Sequence, residues 1–128
     1  MNWKYVKPTT IEKIQSVENM YNIQLPQDLK DLILRYNNGR PEKSYFIVND
    51  KERIFKKLLS YNEEDIENIY PYIDILRKVN KDLFPIASDP GGNFICLAEG
   101  KIVYWEHELR KYEVVSNSIT DFINLLTQ

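Results

Sequence analysis

This chain has one histidine and one cysteine, and both fall in the stretch from Phe84 to His107. Histidine titrates near neutrality. A nucleophilic relay would therefore take Cys96 or a serine as nucleophile and His107 as base, with an acid behind it. The pattern argues against that arrangement. Cys96 alternates with Phe94 along an apolar run, which points both side chains toward a core. No Gly-x-Ser-x-Gly elbow is present. A small hydrolase built from Asp89, Asn93, Glu106 and His107 ranks last of three functional readings. His107 reads instead as a strand-end histidine, at the surface or held by a hydrogen bond.

Metal and phosphate chemistry find less support. One His and one Cys fall short of a structural zinc set. Glu106, His107 and Glu108 are consecutive, so in a strand they alternate between faces and cannot chelate together. Asp89 and Asn93 bracket Gly91-Gly92 without the spacing of a calcium loop. The glycine pair fits neither the Gly-x-Gly-x-x-Gly nor the Walker pattern, and it joins strands instead of opening a helix. No metal and no cofactor are expected. Asp89, Gly92 and Asn93 read as a structural turn, with Gly92 at positive φ, and Trp105 as part of the same structural motif.

Surface chemistry is more informative. Formal net charge is −2, which argues against nucleic acid as the main partner. Residues 1–64 carry 11 basic and 9 acidic side chains, and residues 65–128 carry 6 and 10. The C-terminal half, at −4, is the better docking face for a basic partner. Lys51, Arg53, Lys56 and Lys57 form the densest basic cluster and read as a solvated strand edge guarded by lysines. Nine tyrosines and two tryptophans supply many of the rigid, amphipathic rings that interfaces favour. The candidate partner-binding residues are the acids Glu63, Glu64, Asp65 and Glu67, with Tyr104, Trp105, Glu106 and Glu108.

These groups need elements to hold them. Thr9 or Thr10 caps a first helix with an apolar stripe at Ile11, Ile14, Val17 and Tyr21, and Asn22 stops it. Pro26 at the first helical position opens a second, with Leu29, Leu32, Ile33 and Tyr36 facing inward. Asn37-Asn38-Gly39 ends it, with Gly39 as the left-handed cap. Tyr45 to Val48 is a strand. Residues 53–60 are ambiguous and favour a strand near Lys56–Leu59. Asn62 followed by three acids predicts a helix start, continuing through Ile66, Ile69 and Ile73 with a break near Tyr70 at Pro71. A strand then runs from Phe84 to the Asp89-Pro90-Gly91-Gly92 turn, a second from that turn to Leu97, a third through Ile102–His107 and a fourth through Tyr112–Val115, joined by tight turns. Ser118 caps a last helix bearing Ile119, Phe122, Ile123 and Leu126.

The reading is an α+β fold, a single domain over 1–128, with an antiparallel sheet and helices at the N- and C-terminal ends. A chain of this length buries enough surface to fold without disulfides or metal. The lone cysteine favours a reducing compartment. Met1 to Pro8 lacks the apolar stretch of a signal peptide, and no apolar run approaches the roughly 20 residues of a membrane span. A cytoplasmic protein with no membrane partner is expected.

Several of these motifs stand together in one known family. Ile11-Glu12, then Leu25-Pro26-Gln27-Asp28-Leu29-Lys30, then Tyr36-Asn37-Asn38-Gly39 resemble the opening of the SUKH superfamily. So do Phe84-Pro85-Ile86-Ala87-Ser88-Asp89, Gly92-Asn93-Phe94-Ile95-Cys96-Leu97, the strand Val103-Tyr104-Trp105-Glu106-His107-Glu108, and the closing Ser118 to Ile123 helix. The resemblance runs from about Ile11 to Leu126 and is loose from Ser44 to Leu83. Asn38-Gly39 stands where the family often has Gly-Gly. The resemblance implies a SUKH-like fold and a module that binds proteins without catalysis. The group includes fungal cell-wall-assembly regulators and bacterial immunity proteins. Its first implication is an immunity protein whose partner is a cognate protein toxin, often a nuclease. Its second is an intracellular scaffold or regulatory module.

Overall fold

The computed structural model describes residues 1–128. In chain order it has β1 (Trp3–Lys4), α1 (Ile11–Tyr21), α2 (Gln27–Tyr36), β2 (Arg40–Pro41), β3 (Tyr45–Val48), β4 (Lys51–Ile54) and β5 (Lys57–Leu58). There follow α3 (Tyr70–Val79), β6 (Phe84–Ser88), β7 (Phe94–Ala98), β8 (Lys101–Glu106), β9 (Lys111–Ser116) and α4 (Ile119–Leu125). The architecture is α+β with antiparallel sheets, as the pattern of elements predicts. The main sheet has five strands in the order β5-β6-β7-β8-β9. β3 and β4 form a separate hairpin, and β1 pairs with β2.

The main sheet is buried on both faces, and side-chain alternation divides two cores between them. Ile95, Leu97, Ile102 and Tyr104 enter the larger core with α1, α2, α4 and the β3 strand. Cys96, Ala98, Val103 and Trp105 enter a smaller one, closed by Leu76 of α3 and by Leu83. This explains why β7 and β8 read as nearly continuous apolar runs instead of alternating ones. Cys96 lies fully buried, and burial pushes its thiol far above the ordinary value.

The helix ends follow local chemistry. Thr10, one of the two cap candidates, accepts from the Lys13 N–H, and Asn22 closes α1 in the left-handed conformation. Ser118 accepts from the Asp121 N–H and starts α4. Pro26 sits at the N-cap of α2, one residue before the first helical position.

The structure corrects several expectations. At the end of α2, Asn38 adopts positive φ, not Gly39. Gly39 is needed for space: a β-carbon there would stand 2.6 Å from the Tyr36 carbonyl oxygen. Residues 62–69 are not helical; they form a turn-rich loop, and α3 begins at Tyr70. Pro71 thus starts the helix that it was expected to break, because a first-turn position has no helical N–H bond to lose. Lys57 is not a solvated edge residue but is buried on β5, beside Ser88 of β6. The ambiguous stretch holds the end of β4 as well as β5.

Candidate partner-binding surface

One end of the main sheet gathers the functional candidates. The turn from β6 to β7 carries Asp89 to Asn93, and the β8–β9 turn beside it carries His107 and Glu108. The 62–69 loop closes the same end through Glu67, which accepts from Ser88 Oγ at 3.1 Å.

Asp89 organises its turn from the inside. Its Oδ1 accepts from the Gly91 and Asn93 N–H groups, both at 2.8 Å. Its Oδ2 accepts from the Tyr104 hydroxyl, and from Asn93 Nδ2 at 3.4 Å. Asn93 Nδ2 also donates to the Tyr104 oxygen at 2.9 Å. Because that amide nitrogen is spent as donor, Asn93 Oδ1 is the acceptor for the His107 N–H at 2.9 Å and for His107 Nδ1 at 2.7 Å. The imidazole is therefore protonated on Nδ1, and it is exposed. Burial, reinforced by Asp89, raises the Tyr104 phenol and keeps it a donor. Arg53 lies 5.1 Å over the Tyr104 ring and meets Glu106 at 3.5 Å.

The loop is built on buried polar groups. Ser60 Oγ donates to Asp65 Oδ2 at 2.6 Å, and Asn62 Nδ2 donates to the same oxygen at 3.1 Å. Lys7 stands 3.4 Å from Asp65 Oδ1. Asn37 Nδ2 donates to Ser60 Oγ at 3.0 Å, which ties the loop to the end of α2. Burial alone would raise the Asp65 carboxyl; hydrogen bonds from Ser60, Asn62 and Lys7 outweigh it and hold the group below its ordinary value. Burial likewise opposes ionisation of Glu67, and bonds from Lys56, at 2.6 Å, and Ser88 reverse it.

The sequence candidates thus divide by exposure. Glu63, Glu64 and Glu108 are open to solvent, while Asp65, Glu67 and Glu106 are engaged within the molecule. Tyr104 is 0% exposed and Trp105 4%, so neither ring offers surface to a docking partner. Their alternation places them in opposite cores. Of the turn residues, Asp89 is buried and Asn93 half-buried, and Gly92 has φ +85. Cys96 lies in the core beneath α3, out of reach of solvent, and His107 stands at the surface. No three His, Cys, Asp or Glu side chains converge to hold a metal ion. No helix is long and apolar enough to cross a membrane.

Lys7 and Ser60, which sequence reasoning passed over, complete this end, together with Asn37 and Asn38, which it read only as a helix stop and part of a family motif. The only available signal was polarity at positions flanked by core residues, such as Ser60 between Leu59 and Tyr61.

The whole arrangement, from α1 to the end of α4, falls within a family match. The SMI1 / KNR4 family (SUKH-1) covers residues 8–125. The chain belongs to that family. The match spans the Ser44 to Leu83 region, where the motif resemblance is loosest, and this SUKH-1 chain also has a relative among phage-derived proteins. It is 24% identical, over 94% of this chain and 76% of the relative, to the SPbeta prophage-derived uncharacterized protein YokK of Bacillus subtilis (strain 168).

Proposed function

We propose that this SUKH-1 protein is an immunity protein that binds and neutralises a cognate bacterial toxin, by contact and without catalysis of its own. The carrying observation is the 62–69 loop. It presents Glu63 and Glu64 to solvent while Asp65 and Glu67 are locked beneath them. An inhibitor gains from carboxylates held in place before binding, because less side-chain and loop freedom is then lost on association. Carboxylates so placed suit a basic groove of the kind that accepts phosphate, which makes a nuclease the toxin class that fits best. A prophage-derived relative is consistent with a role in conflict between bacteria.

The test is rescue. The chain is co-expressed with the toxin encoded beside its own gene, and growth is scored. Restored growth, lost in the Glu63→Lys, Glu64→Lys double variant, is the expected result. Absence of rescue by a folded, expressed chain overturns the reading. Stable association with a housekeeping protein would then favour the scaffold role of the cell-wall-assembly regulators.

A further inference from the structure

The ion pairs of this molecule leave two cations of one cleft without a carboxylate. The pairs are Lys7–Asp65, Lys30–Glu18, Arg53–Glu106 and Lys56–Glu67. Neither Arg40 nor Lys57 takes part. Both line a cleft of about 320 Å³ with Tyr5, Lys7, Asn38 and Ile66.

Each of the two cations has donor capacity to spare. Lys57 is 6% exposed, and its ammonium donates to Asn38 Oδ1 and to the Ile66 carbonyl at 3.3 Å. An ammonium carries three N–H groups, so one is left over. The Arg40 guanidinium lies 5.5 Å over the Tyr5 ring. No ion pair of the fold uses its planar fork of N–H donors, a group able to grip a carboxylate with two parallel bonds. Burial lowers the Lys57 ammonium below the usual lysine value; Glu67 opposes this, and the Arg40 charge adds to it. Glu67 and Asp65 favour the Lys57 charge only from a distance, since each is engaged by another lysine, and no carboxylate pairs with Arg40 or Lys57.

The rim tells what kind of anion fits. Ile66 is 86% exposed and Tyr5 67% exposed, so apolar surface stands against the charged floor. A free inorganic anion makes no use of such a rim. An acidic side chain on a protein does, because its carboxylate reaches the cations while neighbouring chain covers the isoleucine and the tyrosine. Arg40 also forms part of an adjoining cleft with Ser44, Lys56 and Pro90, which extends the groove alongside the Asp89 turn.

We propose that this cleft receives the carboxylate of an acidic residue on the protein partner, with Arg40 as the fork and Lys57 as the buried point charge. The identity of the occupant rests on the protein-binding reading above. Both signs then flank one loop: Glu63 and Glu64 point outward from it, and its Ile66 stands at the lip of the cleft that holds Arg40 and Lys57. An alternating surface of this kind rejects partners with charge of one sign only.

A titration on the full-length chain tests the site without the partner. The ¹⁵N-labelled protein is titrated with a blocked tetraglutamate peptide, a blocked tetraglutamine peptide and inorganic phosphate. Tetraglutamate should shift the amide resonances of Tyr5, Asn38, Arg40 and Ile66, and tetraglutamine should not. The Arg40→Gln variant should weaken the tetraglutamate effect by about 10-fold, the scale of one charge-assisted bond. Arg40 makes no ion pair in the fold, so an unchanged thermal melt is expected and is checked first. Amides that stay still with tetraglutamate, or a response that survives Arg40→Gln intact, overturn the site. Phosphate acting at lower concentration than the peptide overturns the assigned occupant. If the peptide fails and toxin rescue still holds, only the cleft falls. If the peptide binds and rescue fails, the carboxylate site stands and the toxin reading falls.

Discussion

The His107 ring closes over Gly92: a β-carbon on that glycine would stand 3.3 Å from Cε1 of the imidazole and 3.6 Å from Nδ1. Asn93 Oδ1 holds the ring there by accepting from Nδ1 and from the His107 N–H. Gly92 also has φ +85, a region that side chains rarely enter. A substitution is thus penalised by its backbone and by its neighbour. Gly92→Val should lower stability by about 1–3 kcal/mol, the range for strain at a special backbone site. Urea unfolding of variant and parent measures this. An unmoved midpoint would show that the turn relaxes freely and that the ring contact has no structural weight.

Tyr104 and Asp89 should be coupled. Tyr104→Phe leaves Asp89 Oδ2 with only the long bond from Asn93 Nδ2, and Asp89 is buried. Losing a hydrogen bond to a charged group costs about 1.5–3 kcal/mol. Asp89→Asn alters the same bond from the other side, and it also weakens the acceptor for two backbone N–H groups. A double-mutant cycle should return a coupling of about 0.5–3 kcal/mol. Strict additivity would mean that the two groups do not support each other.

These two relationships also show what was legible beforehand. The Asp89 to Asn93 turn could be read from residue types, since Pro and two glycines between apolar runs leave few alternatives. The helix caps at Thr10 and Ser118 were legible for the same local reason. Tyr104 was not, because an aromatic in a strand has the same appearance whether it faces solvent or core. Here α3 covers the face that carries Trp105, while α1, α2, α4 and β3 cover the face that carries Tyr104, so both rings are buried. The 62–69 loop misled for a physical reason. Asn62 followed by acids suits a helix start, yet Asn62 and Asp65 are engaged by Lys13, Ser60 and Lys7, and the two lysine contacts are long-range. The cationic cleft was invisible because Tyr5, Asn38, Lys57 and Ile66 come from separate parts of the chain.

Acid should loosen the loop. Asp65 and Glu67 titrate below their ordinary values of 3.8 and 4.5 in the folded protein. As pH falls through that range, the unfolded chain takes up protons before the folded one, so stability declines. The contribution is complete above the ordinary carboxylate values and is lost as pH drops through the lower, folded ones. The Asp65→Asn, Glu67→Gln double variant should therefore be less stable than the parent above the ordinary carboxylate values, and the gap should narrow as pH falls below them. Urea midpoints on both sides of those values test this. A gap that is constant with pH would mean that the loop is held by shape and not by ionised carboxylates.

The exposed and engaged acids should behave differently when a partner arrives. Glu64 is open to solvent and Asp65 is not. Glu64→Lys should leave the thermal melt unchanged and slow association with the proposed toxin partner, with little effect on dissociation, because a rim charge acts mainly through long-range steering. Added salt should slow the parent and shrink the difference between the two. Glu106 does not belong with Glu64 in this test. It faces Arg53 at 3.5 Å, so its reversal would disturb the packing of that guanidinium on Tyr104 as well as the surface field. Stopped-flow association across a salt series separates these effects. If Glu64→Lys associates as fast as the parent at every salt concentration, the acidic pair does not steer the encounter. The contact would then have to be carried by Ile66 and the cleft beside it, where apolar burial sets the off-rate.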